Sequence, residues 1–182
     1  MAPPAMSERP RYSTQSLPPY SYVPRHAPHP VSDPRGHLYG QEKPRPEPLD
    51  PERWSESEAY RYGVDLFNHG FYWEAHETWE SLWLAAGRRG PTAHWLKALI
   101  KLSAGIVKLR EGSSVGALRH ALRVQQLLAE LPEAAAVASP RYCGVEIAVV
   151  AELTRQVIVV AERGPLPPHP MAMLKQCLTL AC

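Results

Sequence analysis

The chain has 182 residues, 20 of them proline, and its 20 basic and 18 acidic residues give a formal net charge of +2. Thirteen of the prolines fall in residues 1–51, three in 52–164 and four in the last 18 positions, so one regular fold over the whole length is not expected. The charges are well mixed, with no basic stripe, and no apolar run approaches the roughly 18 residues of a membrane span, which argues against nucleic acid and membrane as partners.

Residues 1–53 read as a Pro-rich irregular arm. They lack the apolar core of a signal peptide and hold too much proline for an amphipathic transit helix. The string HAPHPVSDPRGH places His26, His29, Asp33 and His37 close together. Such a cluster can ligate a metal, but prolines in an irregular segment hold ligands poorly, and an arm draped on the surface is the expected arrangement. Cys143, Cys177 and Cys182 are odd in number and form no C-x-x-C pair, so neither a disulfide framework nor a thiolate zinc site is written, and a cytoplasmic location is expected.

From Trp54 onward the pattern becomes helical. Ser55 followed by Glu58 reads as a capping box opening a helix over about 55–68, with Gly70 ending it. A second helix is predicted over about 71–86. A third, capped by Thr92, runs to Gly112, and a fourth, capped by Ser113 or Ser114, runs to Leu131, where Pro132 stops it. After the loop PEAAAVASPRYCG, a fifth spans about 145–163; Val157 to Val160 could argue for a strand, but the helical pattern continues through them. No convincing strand is expected. The fold class is therefore all-α: a compact antiparallel bundle of about five helices over 54–164, preceded by the arm and followed by a frayed tail from 165.

The second helix carries polar groups where an apolar face is expected. At 100° per residue, Tyr72, Trp73, Trp79 and Trp83 lie within about 60° of His76, and so does Glu80. A carboxylate buried there needs a cation, a metal ion, a proton or several donors, since leaving it alone costs several kcal/mol. Glu77 flanks the same face, while Glu74 points to the opposite side and is expected in solvent. On the otherwise apolar third helix, Lys97, Lys101 and Lys108 form one strip, which is either a solvent stripe or the cationic counterpart of Glu77 and Glu80. His120 on the fourth helix shares its face with Val124, Leu127 and Leu131 and is expected to be at least half buried. The run His76-Glu77-x-x-Glu80 also looks like the zincin His-Glu-x-x-His with its second histidine replaced; no third ligand and no second Glu-x-x-His helix is visible.

The run Phe67-Asn68-x-Gly70, the run Glu74-Ala75-His76-Glu77-x-x-Glu80-x-x-Trp83, and the spacing of Gly112, Gly116 and His120 together resemble the domain-of-unknown-function family numbered 309. The resemblance covers about residues 56–131, and longer members look similar around PHPVSDPRGHLYG as well. It implies a helical bundle of unassigned function; some members carry the label of metal-dependent hydrolases. Where many members look to have Gln, Gln and His, this chain has Lys97, Lys101 and Lys108, and cations beside Glu77 and Glu80 would compete with a divalent metal.

Three readings follow. In the first, His76, Glu77, Glu80, Lys101, Lys108 and His120, with Trp83 beside them, form a metal-free polar pocket of a binding or interaction module whose partner is a small molecule or a protein. In the second, the protein is a hydrolase in which His76 and Glu80 hold a divalent metal and Glu77 is a general base on a bound water. In the third, the cluster only fixes packing and the aromatic surface serves a homo-oligomer or a partner. No nucleophilic Ser or Cys and no phosphate loop stands in a recognisable setting.

Overall fold

The computed structural model describes residues 9–131, 140–163 and 177–181. Five helices carry the core: α1 (Glu58–Asn68), α2 (Tyr72–Ala85), α3 (Pro91–Arg110), α4 (Ser114–Ala129) and α5 (Ile147–Glu162). α3 is packed on α2, α4 and α5, and α1 closes on α2, as the apolar perimeter of α3 requires. Val157 and Val160 lie in helical backbone and are buried.

The helix starts differ from expectation. A short 3-10 turn occupies Trp54–Glu56, so Ser57 rather than Ser55 caps α1, accepting a hydrogen bond from Tyr60 N at 3.3 Å. α3 starts on Pro91, with Gly90 at φ +86 before it, and Thr92 is already inside the helix; proline suits a first turn whose N–H has no acceptor. Ser113 caps α4 through Gly116 N. Ahead of α5 stands a two-stranded antiparallel hairpin, β1 (Arg141–Tyr142) and β2 (Val145–Glu146), paired Arg141 to Glu146 and Tyr142 to Val145. Its turn residues Cys143 and Gly144 both have positive φ, the geometry of a two-residue hairpin turn. The preceding loop residues 132–139 lie outside the described residues.

Residues 9–53 hold turns and bends but no helix or strand, and several of their backbone groups pair with side chains of α1 and α2. Asp65, fully buried, accepts from Tyr12 N at 2.8 Å, Ser13 N at 2.9 Å, Ser13 Oγ at 2.6 Å and Arg11 Nε at 3.0 Å. Glu58 accepts from Thr14 N, Arg61 donates to the Tyr12 carbonyl, and Tyr62 Oη donates to the Ser16 carbonyl. An extended segment without a sheet partner must find its hydrogen bonds this way or from water.

Of the tail expected to fray from 165, the described part, residues 177–181, is docked. Leu178 is fully buried, and its N–H and C=O each pair at 2.8 Å with the side-chain amide of Asn68. Leu180 makes a bridge to Val145. Burial of two leucines against the bundle outweighs the usual fraying of a chain end.

Candidate functional site

α2 is positioned by its contact with α1. Gly63 faces Trp79 so closely that a Cβ there would stand 2.2 Å from Trp79 Nε1. With Trp79 and Tyr72 turned inward, His76, Glu77 and Glu80 emerge at the margin of the core, each half buried. One ligand atom from each lies within 4.8 Å of the others, and no other group of three His, Cys, Asp or Glu among the described residues gathers in this way. The arm histidines do not: His29 Nδ1 faces the N–H groups of Val31 and Ser32, Asp33 is paired with Arg35, and His37 meets Tyr20 edge-on at 4.7 Å.

The cation nearest the carboxylates comes from the arm. Lys43 Nζ stands 3.0 Å from Glu77 Oε2 and 3.7 Å from Glu80 Oε2, with the two carboxylate side chains 26% and 30% exposed. Burial works against the charge of Lys43, but the hydrogen bonds and charges of Glu77 and Glu80 outweigh it and raise its pKa. A lone lysine among prolines has no periodicity that would point to this role.

The lysine strip of α3 divides. Lys97 Nζ sits 3.7 Å from the centroid of the Trp83 ring, whose other cationic neighbour is Arg88 at 5.5 Å. Lys108 turns to the end of its own helix and pairs with Glu111 at 2.6 Å. Lys101, half buried, has no ion pair or hydrogen bond among the described residues, and its charge reaches His76, Lys97 and His120.

Burial lowers the His76 pKa and Lys101 adds to that, while Glu77, Glu80 and the Ile100 carbonyl pull the other way. On α4, His120 packs over Gly105 of α3, where a Cβ would meet its Cβ at 3.5 Å. Burial, with Lys101, Arg119, His76 and Lys108 adding to it, pushes His120 down to about 4. A neutral imidazole offers one N–H and one lone pair, and His76 gives its N–H to the Ile100 carbonyl.

Glu74 corrects an expectation. It is only 5% exposed, because the arm covers that side of α2: its Oε1 accepts from Tyr22 N at 2.8 Å, and burial pushes the carboxyl up to about 7, against that bond and the charge of Arg110. Asp65 and Asn68 likewise gained no meaning from the helix pattern alone, since the segments they bind are remote in sequence.

Residues 60–120 match the model of a family described as a domain of unknown function, DUF309. No curated protein and no solved structure matches the chain. No helix among the described residues is long and apolar enough to cross a membrane.

Proposed function

We propose, for a chain that carries a DUF309 domain at residues 60–120, that polar side chains of α2, α3 and α4 form the binding site of a module for small polar ligands, with His76, Glu77, Glu80, Lys101 and His120 in it and Trp83 and Lys97 at its rim. The observation that carries this reading is the gathering of three potential ligand atoms within 4.8 Å at a half-buried position. A patch with only a packing role would be better served by apolar residues, because burying charge costs more than burying hydrocarbon returns. Lys108 enters as a neighbour of His120 rather than as a direct pocket wall.

The test is a thermal-shift screen of polar metabolites on the full chain and on a Glu77→Gln, Glu80→Gln double variant. A ligand that raises the melting temperature of the first and not of the folded second supports the reading; a ligand set acting equally on both overturns it.

A second reading, a metal-dependent hydrolase, is favoured by the same donor set. His76 offers a neutral nitrogen and Glu80 a carboxylate oxygen one helical turn later, and these donors fit a divalent ion. The ion, when bound, would supply Lewis acidity. Glu77 would then be the carboxylate that accepts a proton, and Lys43 would have to leave. Elemental analysis of protein purified without chelators decides it: a stoichiometric transition metal supports this reading, and none at all removes it.

A further inference from the structure

α4 carries apolar residues on two opposite sides. Facing the bundle, Ala117, Ala121, Val124 and Leu128 recur at steps of four, three and four, and all are buried. The outer side repeats the same steps with Val115, Arg119, Leu122 and Gln126, and all four are exposed, Val115 by 83% and Leu122 by 46%. At 100° per residue these four lie within about 40° of Val115, and Ala129, also exposed, continues the line seven residues beyond Leu122. The other exposed large apolar residues among those described, Val31 and Tyr39 on the arm and Leu84 on α2, share no such line. A single exposed apolar side chain is ordinary on any surface, but two on one stripe, seven residues apart, have the spacing of a seam between helices. Val115 in particular is explained by neither packing nor propensity: it stands almost wholly in solvent, and a β-branched side chain is a poor helix former.

We infer that the outer stripe of α4 is a docking surface for an acidic amphipathic helix of another protein, which sets apolar side chains against Val115 and Leu122 and carboxylates against Arg119 and Arg123. The inference is independent of the polar cluster on α2. Charge decides the kind of partner. From Ser114 to Ala129, α4 holds two arginines and no acid. Arg119 stands one turn from both Val115 and Leu122 and has no ion pair or hydrogen bond among the described residues. Arg123 donates to Gln126 Oε1 at 3.0 Å and faces Glu130 Oε1 at 3.6 Å, exposed contacts that contribute little and leave it able to meet a carboxylate across the seam. A second copy of α4 would instead line the seam with four guanidinium groups and no acid on either helix to answer them. An anionic membrane would answer the arginines, but the stripe has no aromatic residue and only two large apolar side chains to bury in it.

Two fluorescein-labelled helical peptides of equal length test this, both with leucine at the seam positions, one with glutamate and one with lysine at the flanking positions. Fluorescence anisotropy with the full chain should show saturable binding of the glutamate peptide, about tenfold or more tighter than the lysine peptide and weakening as salt is raised. Leu122→Ser should weaken it about tenfold, the loss expected of an apolar anchor, and Arg119→Glu, which reverses a charge, by about as much. Both positions are exposed, so both variants should melt near the parent temperature. Leu84→Ser, which alters an exposed leucine on α2, should bind like the parent. Equal affinity for the two peptides, no binding of either, or Leu122→Ser and Arg119→Glu proteins that bind like the parent overturn the inference. Two other outcomes overturn it by giving the stripe to a different occupant: a dimer of the chain in sedimentation equilibrium that Leu122→Ser dissociates, or binding to phosphatidylglycerol vesicles that the same variant abolishes.

Discussion

Lys43 Nζ lies 3.0 Å from Glu77 Oε2, so the counter-ion of the α2 carboxylates is supplied by the Pro-rich arm and not by the lysine strip of the neighbouring helix. The arm thus supplies one member of the charged cluster on α2.

Replacing Lys43 by Met should change stability by no more than about 1 kcal/mol, because the lysine side chain is 54% exposed and exposed ion pairs contribute little. The same change leaves two carboxylates without their cation, so the affinity for manganese, measured by calorimetry, should rise several-fold. An unchanged or weaker affinity would contradict the role given to Lys43.

For Asp65, a large effect is expected. Its carboxylate is fully buried and holds donors from Arg11, Tyr12 and Ser13, and Asp65→Ala leaves them unpaired at a cost of about 3 kcal/mol or more. Chemical denaturation measures the loss, and cleavage by trypsin after Arg11 should accelerate in parallel. A variant as stable and as resistant as the parent would show that the arm does not depend on this anchor.

Glu74 makes stability depend on pH. Its folded-state value of about 7 lies above the ordinary 4.5, so the folded chain holds that proton more tightly than the unfolded chain. Its favourable contribution is complete below about 4.5 and is lost as the pH rises through about 7. Glu74→Gln, which still accepts from Tyr22 N, should match the parent near the acid end of this window and exceed it at pH 8 by up to about 3 kcal/mol. Urea denaturation of both proteins at the two pH values checks the sign; a variant less stable at pH 8 refutes it.

Glu80→Gln should fold normally. A carboxylate buried in a network would cost several kcal/mol when neutralised, but this one is 30% exposed and faces Lys43 at 3.7 Å, so a change under about 1 kcal/mol is expected. Ligand response in thermal-shift assays should fall all the same. A strongly destabilised variant would return the residue to a packing role.

The helices were legible in the sequence because apolar spacing and glycine or proline stops are local signals, and α1 to α5 keep close to the predicted spans. The starts moved where two plausible caps compete within a turn, as with Ser55 and Ser57, or where proline itself opens the helix, as at Pro91. The hairpin at 141–146 is too short for alternation to register; it depends on Gly144, whose missing Cβ leaves room for Trp54, and on Leu180 pairing with Val145. Of the candidate site, His76, Glu77 and Glu80 were visible as polar residues on an aromatic face. Their counter-ion was not, and neither was the burial of Glu74, because both depend on where an irregular segment lies, and irregular backbone has no period to read.

The pairing of Asn68 with Leu178 joins residues 110 positions apart. During synthesis α1 leaves the ribosome long before the segment that completes its hydrogen bonding, so the side chain of Asn68 must wait in water, or in the hands of a temporary partner, until residue 178 emerges. A chain stalled before that point therefore leaves the side-chain amide of Asn68 without these two partners.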